Sequence, residues 1–95
     1  MSNSKNKTNI LIVDDHQLVI DGLKSMLASE KNYVIKGEAL NGQQALEMIT
    51  SKPEEYQLVV TDITMPLMSG IELCKIVKEQ FPQITEDNIL YFSSN

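Results

Sequence analysis

The sequence predicts an α/β fold with an open parallel sheet, and three observations support this prediction. Short apolar runs of strand length alternate with longer stretches in which apolar residues recur at helical spacing. Two of the runs, NILIVDD and QLVVTD, are almost continuously apolar, as expected for strands that are covered on both faces. The resulting order βαβαβαβ favours right-handed crossovers, with helices on both faces of the sheet.

The first strand is predicted in NILIVDD, and the first helix follows it in HQLVIDGLKSMLASE. One apolar stripe runs along this helix and consists of Val19, Leu23, Met26 and Leu27. The weaker run YVIKGEAL predicts the second strand. Asn41 is then placed to cap the second helix, with Gln44 completing a capping box. The inward residues of this helix are expected to be Ala45, Leu46 and Ile49.

The third strand is predicted in QLVVTD and the fourth in NILYFSSN, with the loop ITMPLM and a helix between them. Ser69 and Glu72 form a capping box that opens this third helix, and Pro82 ends it. Its inward face is expected to consist of Leu73, Ile76 and Val77. Cys74 is expected to be a packed helix residue.

Length and composition limit the possible functions. Ninety-five residues make one domain, predicted at residues 9–95 after a disordered polar tail at residues 1–8. The net charge of −5 argues against direct contact between this segment and nucleic acid. A single cysteine excludes an internal disulfide. Because no apolar run reaches membrane-spanning length and no signal peptide is recognisable, we expect a cytoplasmic protein without membrane contact.

The predicted strands end in polar groups that suit one site. Asp14 and Asp15 end the first strand, Asp62 ends the third, and Ser93 and Ser94 end the fourth. Ligands of open parallel sheets bind at the carboxyl ends of the strands. Three carboxylates there repel one another unless a cation lies among them, and ligation by oxygen alone favours Mg²⁺ over Mn²⁺ or Ca²⁺.

The three carboxylates are expected to differ in role. Asp14 and Asp15 are adjacent, so they can share a site only if the strand ends there and the chain turns. Asp62 stands alone and is the better candidate for a nucleophile that forms an acyl phosphate. Ser93 can then donate a hydrogen bond to a phosphoryl oxygen. His16 is expected to assist the start of the first helix rather than to bind metal.

The segments ILIVDDH, VVTDITMPLMSGIEL and ILYFSS, in this order and spacing, resemble the receiver domain of bacterial two-component response regulators. The resemblance spans Asn9 to Asn95. It implies a flavodoxin-like receiver fold with the strand order 2-1-3-4-5. The stretch DDHQLVIDGLKSML is most similar to receivers that precede LuxR-type output domains, although Ile20 stands where many of those carry arginine.

The resemblance implies a role for each matching residue. Asp62 matches the phosphoacceptor, which receives a phosphoryl group from a sensor histidine kinase or from a small acyl phosphate. Asp14 and Asp15 match the acids that bind Mg²⁺, and Thr64 matches the residue that offers its backbone carbonyl to the metal. Ser93 matches the switch hydroxyl. The implied function is control of an output, expected to be transcription, by a domain that is not itself an enzyme.

The sequence departs from the family after the fourth strand. The family's fourth helix, fifth strand and fifth helix have no counterpart among the 95 residues, and neither has the lysine that contacts the phosphoryl group. We therefore expect slow phosphorylation of Asp62. Without a fifth strand, the fourth becomes an open edge, and an apolar face beside the first helix is uncovered. We expect two copies to associate through this edge, with their fourth strands antiparallel.

Three interpretations remain open at this point. The chain is a piece of a longer response regulator, or it is a naturally shortened receiver that acts as an oligomeric interaction module. The third is a metal-dependent phosphohydrolase of the haloacid-dehalogenase type, which also uses a nucleophilic aspartate at a strand end. That family has a second aspartate two residues later, where this sequence has Thr64.

Overall fold

Four parallel strands in the order β2-β1-β3-β4 form the sheet of the computed structural model, which describes residues 7–93. The elements are β1 (Thr8–Val13), α1 (Gln17–Leu27), β2 (Tyr33–Ala39), α2 (Gly42–Ser51), β3 (Leu58–Asp62), α3 (Gly70–Gln80), a short 3-10 helix (Glu86–Asn88) and β4 (Ile89–Phe92). The α/β prediction is confirmed. Thr8 pairs with Tyr33 in the sheet, so β1 begins within the tail that was predicted at residues 1–8. Residues 1–6 of this tail lie outside the described part.

The helix starts follow from local sequence. The Asn41 side chain accepts a hydrogen bond from the Gln44 N–H (2.7 Å), while the Gln44 side chain accepts one from the Leu40 N–H (2.6 Å). In the predicted capping box the Gln44 side chain accepts from the Asn41 N–H, whereas in the structure it accepts from the preceding Leu40 N–H. At α3, Ser69 and Glu72 form the full reciprocal box, with hydrogen bonds of 3.0 and 3.1 Å. These bonds satisfy N–H groups that the first turn leaves unpaired.

The two faces of the sheet are covered unequally. The face under α2 and α3 carries the larger buried cluster: Leu11, Val13, Ala39, Ala45, Ile49, Val59, Met65, Leu73, Cys74, Val77, Ile84 and Ile89. Under α1, the buried cluster of the described residues is smaller and consists of Ile10, Ile12 and Ile20. The predicted inward faces of α2 and α3 are confirmed except that Leu46 and Ile76 are half-buried. Cys74 is buried, as expected.

Helix α1 differs from the prediction. Ile20 is its fully buried residue, whereas Met26, expected in the inward stripe, is 72% exposed. An open groove of about 460 Å³ lies beside α1, and its lining includes Leu23, Met26, Val60 and Leu90. The apolar stripe thus faces partly toward the sheet and partly toward this groove. Within residues 7–93, apolar side chains of α1 and β4 are exposed along this groove.

No helix among the described residues combines the length and the apolar character needed to cross a membrane.

Gly22 provides a test of the packing of α1. A Cβ atom at this position meets nothing within 4 Å, so Gly22→Ala adds no clash and removes a residue with poor helix propensity. We expect the free energy of unfolding to rise by about 1 kcal/mol, measured by urea denaturation. Gly37→Ala is the contrasting case, because its Cβ would lie 2.7 Å from the Tyr56 hydroxyl and 2.8 Å from Met48 Cε, two side-chain ends that must move before the methyl group fits. We therefore expect Gly37→Ala to stabilise the protein less than Gly22→Ala, and the reverse order would contradict this packing.

Candidate metal and phosphoryl site

Asp14 and Asp62 lie side by side at the carboxyl ends of β1 and β3. The sheet register aligns Val13 with Thr61, so the two residues that follow are neighbours. The Asp14 N–H donates to the carbonyl of Ala39 in β2 at 3.0 Å, which holds Asp14 in line with the sheet. Both aspartate residues are buried. The sheet topology thus brings together carboxylates that are 48 positions apart in sequence.

Asp15 joins the same site because the chain turns there. β1 ends at Val13, and Asp15 lies in a bend, with 27% of its side chain exposed. One candidate ligand atom from each of Asp14, Asp15, His16 and Asp62 lies within 4.8 Å of the others. The condition under which adjacent aspartates can share a site is therefore met, and the structure brings the three predicted carboxylates together.

His16 lies against the acid pair. Its Nδ1 is 3.0 Å from Asp14 Oδ1 and 3.2 Å from Asp15 Oδ1, and its backbone N–H donates to Asp14 Oδ1 at 2.8 Å. The hydrogen bond with Asp14, followed by the charge of Asp15, raises the pKa of His16. The His16 side chain makes no capping hydrogen bond to α1, contrary to expectation. In the sequence, the one sign of the contact between His16 and the two aspartates is that His16 directly follows them.

The acid pair has oxygens that suit a cation. Asp14 Oδ2 and Asp15 Oδ1 are buried and accept no hydrogen bond from the described residues. A buried carboxylate oxygen without a donor costs free energy, and a hard divalent cation can satisfy several such oxygens at once. The residues present therefore fit Mg²⁺. A protonated His16 and a divalent cation would compete for Asp15 Oδ1, which lies 3.2 Å from His16 Nδ1, whereas Asp14 Oδ2 faces no such competition.

The loop after β3 is tightly folded. Leu67 has a φ of 73°, in the left-handed region that leucine rarely adopts, and it is fully exposed. The Met68 N–H donates to the Pro66 carbonyl at 2.7 Å, which closes a three-residue turn around Leu67. Met65 is buried at the start of this turn. The chain reverses direction between Asp62 and α3 at this turn, and the backbone of Leu67 adopts an unfavourable conformation to allow it.

Gly70 is the point at which this loop comes very close to the end of β3. A Cβ atom on Gly70 would lie 2.2 Å from the carbonyl oxygen of Asp62. The Gly70 N–H donates to the Ile63 carbonyl at 2.9 Å, and the Thr61 hydroxyl donates to the Asp62 carbonyl at 3.1 Å. These contacts fix the backbone that carries the Asp62 side chain.

Thr64 and Ser93 occupy the positions expected from the sequence. Thr64 is an exposed residue two positions after the end of β3. Phe92 pairs with Asp62 in the sheet, and its carbonyl accepts a hydrogen bond from the Ile63 N–H at 2.9 Å. Ser93 follows directly and is exposed at the same edge. The roles of Thr64 and Ser93 remain predictions, and Ser94 lies outside the described residues.

The chain is similar in sequence to one family of known proteins. Residues 10–93 match the sequence model of the response regulator receiver domain. The chain is 41% identical over 71 residues to the transcriptional regulatory protein YdfI of Bacillus subtilis, covering 75% of the chain and 32% of YdfI. It is 34% identical over 80 residues to the nitrate/nitrite response regulator protein NarL of Escherichia coli K12, covering 84% of the chain and 36% of NarL. The chain thus spans about a third of the length of these relatives.

Solved structures show the same likeness. A two-component response regulator of the LuxR family from Aurantimonas sp. SI85-9A1 has a TM-score of 0.81 and 25% identity, over 94% of this chain and 60% of that one. A chain of the CheX–CheY–BeF3–Mg²⁺ complex from Borrelia burgdorferi has a TM-score of 0.78 and 25% identity, over 99% of this chain and 72% of that one.

The close approach at Gly70 yields a prediction. Gly70→Ala forces the β3–α3 loop away from Asp62, because the added methyl group would overlap the Asp62 backbone and not a flexible side chain. We expect a loss of about 2 to 3 kcal/mol in the free energy of unfolding, measured by urea denaturation. The Asp62 amide should also shift strongly in the NMR spectrum.

Gly42→Ala is the matched control. Its Cβ would lie 2.7 Å from Met68 Sδ and 3.0 Å from Met68 Cβ and Cγ, so the thioether can rotate away and the Met68 Cβ must give by only a few tenths of an ångström. We expect a smaller loss of stability and little change at Asp62. Equal effects of the two substitutions would show that the Gly70 contact does not position the backbone of Asp62.

Proposed function

Because the chain belongs to the response regulator receiver domain family, we propose that Asp62 accepts a phosphoryl group from a sensor histidine kinase in the presence of Mg²⁺. The observation that carries this proposal is the cluster of carboxylates in which Asp62 lies buried beside Asp14 and Asp15. A buried aspartate at a strand end, next to oxygens suited to a hard cation, is placed for phosphoryl transfer.

The proposed transfer is a single displacement at phosphorus. A carboxylate oxygen of Asp62 forms a bond to phosphorus as the bond from phosphorus to the donor's histidine nitrogen breaks, and the imidazole leaves with that electron pair. The product is an acyl phosphate on Asp62. Bonds from Gly70 and Thr61 to the neighbouring backbone hold the acceptor in place during this step.

Asp14 and Asp15 are the side chains proposed to hold Mg²⁺, together with a carboxylate oxygen of Asp62 and the backbone carbonyl of Thr64. When bound, Mg²⁺ neutralises part of the charge that collects on the phosphoryl oxygens. The support for this assignment is the pair of buried oxygens on Asp14 and Asp15 that accept no hydrogen bond from the described residues.

Ser93 is proposed as the hydroxyl that donates to a phosphoryl oxygen. Its position directly after the Asp62–Phe92 pair of the β3–β4 ladder supports this role. The Ile63–Phe92 hydrogen bond joins the acceptor segment to the strand that carries Ser93. A change at Asp62 would therefore reach β4 through the backbone.

The proposed cellular setting follows from the relatives. The curated relatives YdfI and NarL are named as a transcriptional regulator and a response regulator. We propose that phosphorylation of Asp62 in the cytoplasm controls transcription through an output outside the described residues. A second proposed partner is another copy of this chain, because β4 is an edge strand of the sheet within residues 7–93.

Incubation with acetyl phosphate and Mg²⁺ tests the acceptor. We expect intact-mass spectrometry to show the addition of one phosphoryl group, absent in Asp62→Asn and lost on removal of Mg²⁺ with EDTA. Labelling of the 95-residue chain should be slow, because the resemblance places none of its lysines beside the acceptor. Asp21→Asn, which changes an exposed acid on α1, is the control and should label like the unaltered chain.

Two results would contradict the proposal. Labelling that persists in Asp62→Asn would place the acceptor elsewhere. Sustained hydrolysis of a phosphomonoester, with a burst of product and no accumulated label, would instead support the phosphohydrolase interpretation. Rapid, stoichiometric labelling at Asp62 would support the acceptor and show that the missing lysine matters less than expected.

A further inference from the structure

His16 is the side chain that brings a nitrogen ligand to the carboxylate cluster. It directly follows the acid pair and is the single histidine of the chain. One candidate ligand atom of His16 lies within 4.8 Å of one from each of Asp14, Asp15 and Asp62. The Mg²⁺ site proposed above uses oxygen atoms alone, because Mg²⁺ is a hard cation that binds carboxylates and water. The imidazole of His16 has no role in that site, although it lies among its ligands.

The contact between His16 and Asp15 is not a hydrogen bond. His16 Nδ1 lies 3.2 Å from Asp15 Oδ1, yet this oxygen is buried and accepts no hydrogen bond from the described residues. The same nitrogen lies 3.0 Å from Asp14 Oδ1. A ring nitrogen carries at most one hydrogen, so it donates well to only one of the two acids. A hydrogen bond thus accounts for the contact with Asp14 but not for the contact with Asp15.

The separation of His16 and Asp15 suits two ligands of one cation. At a metal–ligand distance of about 2.1 Å, neighbouring ligand atoms lie about 3.0 Å apart in octahedral and about 3.4 Å apart in tetrahedral coordination. The 3.2 Å between His16 Nδ1 and Asp15 Oδ1 falls between these values. The candidate atoms of the whole cluster lie within the wider limit of 4.8 Å, so some ligands must move inward. His16 and Asp15 have partly exposed side chains and can make this movement.

Asp14 supplies an independent sign of a bound ion. Its side chain is fully buried, and its Oδ2 accepts no hydrogen bond from the described residues. The other oxygen, Oδ1, accepts from the His16 backbone N–H at 2.8 Å, which fixes the carboxylate. A buried carboxylate oxygen without a donor costs free energy that a cation can offset. Asp14 therefore offers a fixed oxygen ligand beside the movable nitrogen of His16.

We propose that this cluster binds a transition metal ion of the Zn²⁺ type, with His16 Nδ1 as the nitrogen ligand and the three carboxylates as oxygen ligands. Proteins bind Zn²⁺ through imidazole nitrogen and carboxylate oxygen, usually with four ligands. Four residues of this cluster offer one ligand atom each. Imidazole suits Zn²⁺, whereas Mg²⁺ takes oxygen ligands, so His16 raises the preference of the site for Zn²⁺. This role reverses the sequence-based expectation that His16 does not bind metal.

The two ions would exclude each other, because they share the same carboxylates. The inference deepens the proposed function by giving the acceptor site a second occupant, and it does not depend on phosphoryl transfer. For Nδ1 to bind a metal, the ring hydrogen must lie on Nε2. The His16 side chain is 55% exposed, so water is available as a partner for that hydrogen.

Nitrogen-15 NMR of the unaltered, untagged chain tests the ligand directly. His16 is the only histidine, so every histidine ring signal belongs to it. Saturating Zn²⁺ should shift the Nδ1 resonance strongly and leave the hydrogen on Nε2. Saturating Mg²⁺ should give no such shift, because Mg²⁺ does not take the nitrogen as a ligand. This comparison needs no substitution and so does not depend on the folding of a variant.

Competition titrations measure the selectivity. His16→Ala should weaken Zn²⁺ binding by about 10- to 100-fold, since a direct ligand matters at least as much as an outer hydrogen-bond partner. Mg²⁺ binding should change by less than about threefold, because Mg²⁺ uses oxygen ligands. Asp14→Asn should weaken the binding of both ions. Cys74→Ala should bind both ions like the unaltered chain, because this buried thiol is not among the candidate ligands.

Three outcomes would overturn the proposal. An Nδ1 resonance that Zn²⁺ leaves in place would show that the ring is not a ligand. Equal weakening of Zn²⁺ and Mg²⁺ binding in His16→Ala would show that His16 only positions the aspartates. Undiminished Zn²⁺ binding in His16→Ala would place the ion elsewhere. Neither measurement uses phosphoryl labelling of Asp62, so a failure of this proposal and a failure of the proposed acceptor give different results.

Discussion

Repulsion among carboxylates at one end of the sheet is the constraint on which the rest of this structure depends. Asp14 and Asp62 are buried, and candidate ligand atoms of the cluster lie within 4.8 Å of one another. At an effective dielectric constant near 20, two unit negative charges at about 5 Å repel by roughly 3 kcal/mol. For a domain of this size such a repulsion is a large part of the total stability. The fold holds these groups together because the parallel strands leave them no alternative position.

The segments around the cluster act as its support. The turn at Leu67 and the close contact at Gly70 bring the β3–α3 loop against the backbone of Asp62. His16 places a basic ring against the acid pair. The Phe92 carbonyl of β4 accepts a hydrogen bond from the Ile63 N–H, which joins the segment after Asp62 to β4.

The sequence predicted the parts of this arrangement that depend on local pattern. Continuous apolar runs identified the buried strands, and the Ser69–Glu72 box marked the start of α3. The acidic residues at the strand ends then indicated where the carboxylate cluster lies, because the carboxyl ends of parallel strands meet at one edge of the sheet. These features depend on neighbours in the chain or on a general rule of sheet topology.

Tertiary geometry decided the rest. Met26 has the spacing of an inward residue, yet it borders an open groove, because helical spacing does not reveal how far the sheet extends beneath a helix. The contact of His16 with both aspartates depends on the angle at which the chain leaves β1. The positive φ of Leu67 could not be predicted from the sequence either, because leucine rarely adopts this conformation.

The central claim is that a divalent cation relieves the repulsion at the carboxylate cluster. Its most direct test is the free energy of unfolding as Mg²⁺ increases at constant ionic strength, for the unaltered chain, Asp14→Asn and the exposed control Asp21→Asn. The account predicts that Mg²⁺ stabilises the unaltered chain and Asp21→Asn, by about 1.4 kcal/mol at ten times the dissociation constant. In the absence of Mg²⁺, Asp14→Asn should be more stable than the unaltered chain. Added Mg²⁺ should then stabilise Asp14→Asn much less than it stabilises the unaltered chain. An equal Mg²⁺ response in all three proteins, or none in any, would contradict it.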